Sequence, residues 1–310
     1  MKKNFQKICV LKGGFSTERE ISLLSGSGMA NAARSLGYEV SEFDFTGDIY
    51  TLLAFLKAED PDCVVNGLHG AGGEDGNIQA VLNLLKIPYT HSGVLASSVA
   101  MDKYISGVIF HQNGIRVPKN RQYYWETFKN KPDFPLPFVI KPINGGSSCG
   151  VFIINKLSEL DKVEWTYGDK VLVSEYIPGL ELSVGVLDGR ALEVTNIIVK
   201  KGFYDYKNKY TDGAAYHELP ANIPQKVRRE AMACAEKTHA LLECRGATRT
   251  DFRYNDVTEE LFVLEINTQP GMSPLSLVPE QAKYVGISFE ELVGRLIQEA
   301  CYDEMQIGFG

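Results

Sequence analysis

The 310-residue sequence lacks the marks of several large protein classes. Its net charge is −7, and no block of like charge is long enough to bind nucleic acid or a membrane surface. No apolar run approaches the length of a membrane span, and the first residues contain no apolar segment of the length that a secretory signal needs. We therefore expect a cytoplasmic protein whose partners are neither nucleic acid nor membrane.

Cysteine patterns and the commonest nucleotide-binding fingerprints are also missing. The six cysteines form no C-x-x-C pair and have no histidine partners at zinc spacing, which indicates reduced thiols. The first glycine turn is not G-x-G-x-x-G, and neither a Walker A loop nor the kinase H-R-D and D-F-G motifs occur. These absences argue against a dinucleotide-binding enzyme, a P-loop enzyme and a protein kinase.

What is present is the composition of an ordinary globular protein of two or three domains, with 44% apolar and 23% charged residues. Strands are predicted at 7–11, 38–45 and 62–66, and helices at 21–36 and 77–85. Strand, glycine turn and helix in this order open a doubly wound α/β unit.

Polar residues follow two of these strands. Glu18 comes after the first, and His69 and Glu74 lie in a glycine-rich loop after the third. Open α/β sheets bind ligands at the carboxyl ends of their strands, so this edge is a candidate substrate site. A structural His69, hydrogen-bonded to its own loop, stays open as the alternative.

The middle of the chain changes character. A helix is predicted over 97–113, with Lys103 near its start, and antiparallel strands follow from about Arg116, two of them joined by an Asp188-Gly189 hairpin turn. Lys141 and the glycine- and serine-rich segment 144–150 suggest a cover for phosphate groups, because glycine N–H groups, serine hydroxyls and a lysine all favour anions. A flexible hairpin tip and a merely solvated Lys103 are the alternatives.

The aromatic and basic segment 202–216 has no clean periodicity, and we interpret it as a loop that closes over an anionic ligand. A hairpin of strands at about 247–254 and 261–267 follows. Strict alternation puts Arg249, Asp251 and Arg253 on one face of the first strand.

In the second strand, alternation groups Glu265 and Asn267 with Leu261 and Val263, and puts Phe262, Leu264 and Ile266 on the other face. A turn centred near Thr258 places Asp251 opposite Glu265, and two adjacent carboxylates need a cation between them. We expect a Mg²⁺ site there, a strand end exposed to solvent being the alternative. Together with the phosphate-binding segment, this predicts a nucleoside triphosphate as substrate.

These motifs resemble those of the D-alanine–D-alanine ligase family of the ATP-grasp superfamily over nearly the whole chain. The matching segments are 13–20, 68–76, 101–103, 141–150, 203–210, 249–251, 265–272 and 276–279. The resemblance implies an α/β (α+β) fold: a doubly wound, Rossmann-like pre-ATP-grasp domain over 1–96, then an ATP-grasp fold of two antiparallel-sheet subdomains over 97–185 and 186–310.

Residue roles follow from the resemblance. It implies catalytic roles for Glu18, Ser147, Tyr210, Arg249 and Ser276, and D-alanine binding by Glu18, His69, Arg249, Gly271, Ser276 and Leu277. It implies nucleotide binding by Lys103, Lys141, Ser147, Ser148, Glu175, Tyr176, Ile177, Glu181, Phe203 and Lys209, and metal binding by Asp251, Glu265 and Asn267. Ser174 departs from the family, which usually has an acidic residue at that position.

The implied reaction joins two D-alanines at the expense of ATP, through a D-alanyl phosphate, for peptidoglycan synthesis. It implies two Mg²⁺ ions, with Mn²⁺ as a substitute, and a homodimer. The alternatives are a ligase that joins D-alanine to D-lactate, against which Tyr210 argues within the resemblance, and a nucleotide-binding module without activity, against which the complete set of acidic and basic residues argues.

Overall fold

The computed structural model describes residues 3–199, 215–273 and 276–303. The first part of the chain forms a parallel sheet in the order β2-β1-β3, from β1 (Lys7–Gly13), β2 (Glu39–Phe45) and β3 (Cys63–Asn66). The central strand is almost entirely buried, as expected for a parallel strand covered on both faces.

Helices lie on both faces of this sheet. Ile8 and Val10 of β1 pack against α1 (Arg19–Ser35) and the last helix, α9 (Phe289–Glu299). Cys9 and Leu11 face the other way, against α2 (Ile49–Glu59) and α3 (Asn77–Leu85). The carboxyl ends of β1 and β3 therefore lie beside each other, next to the C-terminal part of the chain.

An antiparallel sheet follows, in the order β4-β7-β5-β6. Its strands are β4 (Asn120–Tyr124), β5 (Phe138–Lys141), β6 (Phe152–Ile154) and β7 (Lys170–Glu175). Its core is aromatic, with Trp125, Phe128 and Phe138 from this sheet and from α6 (Trp125–Asn130), and a 3₁₀ helix (Leu157–Lys162) closes its edge.

A second antiparallel sheet has the order β10-β9-β8-β11-β12. Its strands are β8 (Leu180–Leu187), β9 (Arg190–Val199), β10 (Ala215–Glu218), β11 (Ala247–Asn255) and β12 (Glu260–Asn267). Helix α7 (Gln225–Leu241) packs on one face, and α8 (Leu277–Tyr284) and α9 lie toward the N-terminal sheet. The predicted hairpin turn is confirmed, since Asp188 and Gly189 have φ of 52° and 71°.

Two local predictions are wrong. The helix expected over 97–113 is two helices, α4 (Val94–Met101) and α5 (Lys103–Gln112), because Asp102 is extended and caps α5 by accepting the N–H groups of Tyr104 and Ile105, both at 2.9 Å. The sequence pattern also predicts a strand and turn over 87–93, but the structure has only isolated bridges there, at Tyr89.

The predicted face of β12 is wrong as well. A β-bulge leaves Leu264 without a partner, since Asp251 pairs with Glu265 while Phe252 pairs with Val263. The extra residue reverses the alternation, so Ile266 joins Val263 in the buried core and Glu265 points the other way. The bulge thus turns the end of the strand toward a cavity.

Across the described ranges, no helix is both long and apolar enough to span a membrane.

Candidate active site

A cavity lies between the two antiparallel sheets, and its empty space is about 890 Å³ when the open solvent at its mouth is included. Charged residues from both sheets and from α5 meet in it: Lys103, Lys141, Glu181, Asp251, Arg253 and Glu265. Apolar side chains form the rest of the wall: Pro118, Val139, Val151, Ile177 and Leu264. An apolar slot bordered by charges of both signs suits a nucleotide, whose base is flat and whose phosphates are anionic.

Lys103 spans the cavity. As the first residue of α5, held there by the Asp102 cap, it places its ammonium nitrogen 3.0 Å from Oε2 of Glu265. The same nitrogen donates to the Gly145 carbonyl of the glycine- and serine-rich loop. Lys103 is thus held, partly buried, between a carboxylate and a loop, and the solvated alternative is wrong.

Lys141 lies at the end of β5 and lines the same cavity. The pKa of its ammonium is lowered to about 8, because the effect of burial outweighs that of Glu265, which favours the charged form, and nearby Lys103 adds to the lowering. With a pKa of about 8, Lys141 is partly uncharged at slightly alkaline pH. An anion that enters the cavity favours its charged form, and the two then attract each other.

Asp251 and Glu265 are direct partners across the β11–β12 ladder, as the hairpin register predicted. The Asp251 carboxylate accepts from Arg249 Nη2 at 2.8 Å, from Ser183 Oγ at 2.7 Å and from Asn267 Nδ2 at 3.1 Å. Arg249 and Lys103 therefore compensate the two carboxylates separately, one cation each.

The donor chemistry of this corner fits Mg²⁺. Asp251 and Glu265 supply carboxylate oxygens on the cavity wall, and the Asn267 amide lies against Asp251. In the part of the chain that the structure describes, no three His, Cys, Asp or Glu residues converge as a closed metal cage. Mg²⁺ needs none, since it commonly takes one or two carboxylates and completes its shell with water and phosphate oxygens.

The loop over the cavity sends two adjacent serines in different directions. Ser147 and Ser148 both have positive φ, at 53° and 56°. Ser148 lines the nucleotide-sized cavity, whereas the Ser147 hydroxyl donates to Oε1 of Glu18 in the N-terminal unit. The loop is therefore an ordered bridge between domains, and the alternative of a free hairpin tip is wrong.

Glu18 lies at the N-terminus of α1, between two glycine-rich loops. A Cβ added at Gly70 would come 2.9 Å from its Oε2, and one at Gly146 would come 3.0 Å from the same atom. Glycine at both positions lets backbone approach the carboxylate closely. The Glu18 carboxylate therefore lies where the two loops meet, a position at which it could bind an ammonium group.

Glu74 and His69 are both close neighbours of Glu18. Burial, reinforced by the neighbouring Glu18, raises the pKa of Glu74 to about 8, so Glu74 is protonated at pH 7. Burial lowers the pKa of His69, whose Nε2 lies 3.0 Å from the Ser25 hydroxyl. His69 is thus neutral and hydrogen-bonded in the interior, but the partner of its Nε2 is Ser25 of α1 and not its own glycine-rich loop, as the structural alternative had it.

The far end of the cavity holds the other predicted nucleotide residues. Glu175, Tyr176, Ile177 and Glu181 all line it, as does Ser174, which is 5% exposed. Sequence reasoning gave no role to Arg253, although its face was predicted correctly. Its guanidinium donates to the carbonyls of Ile177 at 3.0 Å and Gly179 at 2.8 Å and lies 3.5 Å from Glu181.

The remaining predicted residues divide into two groups. Gly271 and Ser276 adjoin each other, since a Cβ at Gly271 would lie 2.8 Å from the Ser276 hydroxyl, and the buried Leu277 begins α8. Phe203, Lys209 and Tyr210, with residues 202–214 of the predicted closing loop, lie outside the described residues, whereas the last two residues of that loop, 215 and 216, belong to β10.

Comparison with known proteins gives one consistent result. Residues 110–298 match the family model described as the C-terminus of D-ala D-ala ligase. The D-alanine–D-alanine ligase of Acidiphilium cryptum is 46% identical over 299 residues, which cover 95% of this chain and 98% of that protein.

Solved structures agree. The crystal structure of D-alanine–D-alanine ligase from Bacillus anthracis has a TM-score of 0.82 and 31% identity, covering 95% of this chain and 97% of that one. The complex of the Bacillus anthracis ligase with ATP has a TM-score of 0.79 and 28% identity, with the same coverage. By its sequence over almost its full length, this chain belongs to the D-alanine–D-alanine ligase family.

Proposed function

We propose that this chain joins two D-alanine molecules into D-alanyl-D-alanine with ATP, forming ADP and phosphate, as a step of peptidoglycan precursor synthesis. The observation that carries the proposal is the Ser147–Glu18 hydrogen bond. It ties the loop over the cavity to a carboxylate of the N-terminal unit that would bind an ammonium group. The family membership and the full-length similarity to enzymes of this name support it.

The three sheets support a division into three domains. The N-terminal unit serves in this proposal as the Rossmann-like pre-ATP-grasp domain, ending near residue 96. A boundary at 185/186 would cut β8, which runs from 180 to 187 within the five-stranded sheet. We therefore place the division between the two ATP-grasp subdomains in the connection 176–179.

In the proposed nucleotide site, the base and ribose lie at the Glu175–Glu181 end and the phosphates between Lys103 and Lys141, under Ser148. The ATP complex of the Bacillus anthracis ligase, which has a similar fold, supports ATP as the ligand. Asp251, Glu265 and Asn267 would hold Mg²⁺, which when bound neutralises phosphate charge at the reacting end.

The proposed chemistry uses two pockets in sequence. Glu18 binds the ammonium group of the first D-alanine, whose carboxylate attacks the γ-phosphate of ATP and yields an acyl phosphate and ADP. The amine of the second D-alanine, held by Ser276 and Leu277, attacks the acyl carbon and must arrive unprotonated. Arg249 and the Gly271 N–H stabilise the oxyanion that forms, and phosphate then leaves.

In this proposal Lys103 and Lys141 bind the phosphates, Ser276 binds the second D-alanine, and the Gly271 N–H stabilises the oxyanion. A neutral Glu74 leaves Glu18 as the charged carboxylate beside the first D-alanine. Tyr210, Phe203 and Lys209 enter the proposal from the family resemblance alone. The cytoplasmic location and the homodimer also stay predictions.

The test is ADP release by the purified chain with ATP, Mg²⁺ and a panel of second substrates. D-Alanine alone should support ADP formation and yield the dipeptide by mass spectrometry. Ester formation with D-lactate at a comparable rate at neutral pH would favour the D-lactate alternative, and absence of D-alanine-dependent ADP would favour a binding module. Tyr210→Phe should weaken the preference for the amine over D-lactate.

A further inference from the structure

The loop 268–272, which follows β12 and carries Gly271, is fixed to the N-terminal domain on one side by Gln269. The Gln269 side chain accepts from Asn66 Nδ2 at 2.8 Å and donates to the Asn66 carbonyl at 3.1 Å and to the Leu68 carbonyl. Asn66 ends β3, and Leu68 directly precedes His69. This contact joins residues about two hundred positions apart in the chain.

The other side of Gly271 is fixed by Ser25. The backbone N–H of Met272 donates to Ser25 Oγ at 3.2 Å, and the same oxygen lies 3.0 Å from His69 Nε2. Ser25 is a buried residue of α1. Gly271 therefore lies between two anchored residues. Gln269, two residues before it, bonds Asn66 and Leu68, and Met272, directly after it, bonds Ser25, which in turn bonds His69.

The anchors are uncharged, buried and fully hydrogen-bonded. Ser25, Asn66 and Gln269 are at most 3% exposed. The second Asn66 amide hydrogen reaches the Gly73 carbonyl, and Asn66 Oδ1 accepts from Leu68 N–H at 3.1 Å. A buried amide that loses its partner costs about 1–3 kcal/mol, so these contacts hold the loop in one position.

We propose that Ser25, Asn66 and Gln269, here called the loop clamp, are positioning residues that set where the Gly271 N–H points. The inference rests on the proposed function, in which this N–H stabilises the oxyanion formed when the second D-alanine attacks. Because two of the three clamp residues, Ser25 and Asn66, belong to the domain that binds the first D-alanine, the clamp couples the oxyanion donor to the position of the first substrate.

The expected size of the effect follows from the geometry of catalysis. Loss of one oxyanion donor costs about 10²–10³ in kcat, and a displacement of about 1 Å at a reacting group can cost about 10². Loosening the clamp displaces the donor without removing it, so we expect a decrease in kcat of about 10- to 100-fold. The nucleotide cavity lies elsewhere, and KM for ATP should stay within about twofold.

Two variants and two matched controls make the test. Gln269→Met keeps the length of the side chain and removes its amide, and Ser25→Ala removes the hydroxyl. Gln281→Met is the control for the first, since Gln281 is equally buried and bonds Gly185 N–H and the Ser183 carbonyl within the five-stranded sheet. Ser22→Ala is the control for the second, since the buried Ser22 on the same helix bonds the Gly67 carbonyl at 2.7 Å.

All four variants are compared with the full-length chain for kcat, for KM of ATP and D-alanine, and for hydrogen–deuterium exchange of the peptide covering 268–273. Gln269→Met and Ser25→Ala should lower kcat and speed exchange in this peptide. The control variants should lose similar thermal stability but keep kcat and the exchange rate. An Asn66→Leu/Gln269→Met double variant should lose less activity than the product of the two single losses, because the pair acts as one unit.

Unchanged exchange in both clamp variants would overturn the clamp, whatever their activity. Equal losses of kcat in the clamp variants and in the controls would mean that the clamp residues only stabilise the fold, and would overturn the proposal. If the unsubstituted chain forms no ADP in response to D-alanine, the proposed function fails and takes the catalytic role of the clamp with it. The exchange comparison then still decides whether the clamp holds the loop.

Discussion

The ammonium nitrogen of Lys103 lies 3.0 Å from Oε2 of Glu265, so that the first residue of α5 is joined to the end of β12 across the cavity. Glu265 is also the ladder partner of Asp251, whose charge Arg249 compensates. The corner thus holds two carboxylates and two basic side chains in balance. Binding of a metal–phosphate complex would redistribute these charges without leaving one of them buried alone.

Glu265→Gln should abolish ligation, lowering kcat by at least about 100-fold, because it removes one of two negative charges available to the metal. The melting temperature should change by only a few degrees, since the side chain lies at a cavity edge. Steady-state ADP release and thermal unfolding measure the two effects. Glu260→Gln is the control, at the exposed start of the same strand, where Glu260 lies 3.7 Å from Arg116. Turnover like that of the unsubstituted protein in a folded Glu265→Gln variant would sink the metal assignment.

ATP binding should take up protons at pH 8 through Lys141. Its pKa is about 8 without ligand, below the ordinary 10.5, so about half of the molecules carry an uncharged Lys141 at that pH. Phosphate groups favour the charged form and raise the pKa, which draws in roughly half a proton per ATP bound. Calorimetry of ATP binding without D-alanine, in buffers of different ionisation enthalpy, measures this number.

Lys141→Met should abolish the proton uptake and weaken ATP binding, whereas the exposed Lys156→Met should change neither. The stability effect has the opposite sign to that of an ordinary ion pair. Because the folded-state pKa is lowered, a charged Lys141 destabilises the fold below pH 8, and this penalty disappears as the pH rises toward 10.5. Equal proton uptake in the Lys141→Met variant would contradict the assignment.

Glu74→Gln should stabilise the protein progressively as the pH rises from 4.5 to 8. Over this range an unfolded chain has lost the Glu74 proton while the folded chain retains it, so the unsubstituted protein becomes less stable with rising pH. The variant lacks this loss, and at pH 8 its free energy of unfolding should be higher by roughly 1–3 kcal/mol, one pKa unit being worth about 1.4 kcal/mol. Urea unfolding at pH 5 and pH 8 measures the difference. A difference that is the same at both values would refute a protonated Glu74, and the exposed Glu20→Gln serves as the control.

Ser147→Ala should raise KM for D-alanine by about 10-fold or more, because the hydroxyl hydrogen bond to the charged Glu18 carboxylate is lost, and such bonds contribute about 1.5–3 kcal/mol. Ser148→Ala, one residue on, should instead raise KM for ATP, since Ser148 lines the cavity. Initial rates at varied concentrations of each substrate separate the two effects. The same change of both KM values in both variants would contradict the divergence of the two serines.

Much of the fold could be predicted because its elements follow local rules. The buried run of β1, the periodicity of α1 and the Asp188-Gly189 turn need only neighbouring residues to be recognised. The pairing of Asp251 with Glu265 was predicted from a turn centred near Thr258, and in the structure the bulge produces it, since Asn255 pairs with Glu260 beside the turn. The face of Glu265 was not predicted, because a bulge at Leu264 is a response to packing that strict alternation cannot anticipate.

The interruption between α4 and α5 at Asp102 is a second feature that the hydrophobic periodicity did not predict. The apolar pattern continues through 97–113, yet the side chain caps a new helix and thereby directs Lys103 into the cavity. The capping signal, an aspartate before a good helix former, was present in the sequence but was weaker than the periodicity around it.

The sequence by itself determined the residue types, the strand and helix order and the family, since these depend on local pattern and on motifs in order. Only the tertiary structure decided which of these residues meet. The hydroxyl of Ser147 reaches Glu18 across 129 positions, and the amide of Gln269 reaches Asn66 across 203. Contacts of this length arise from domain packing, in which burial of apolar faces fixes positions that no local periodicity encodes.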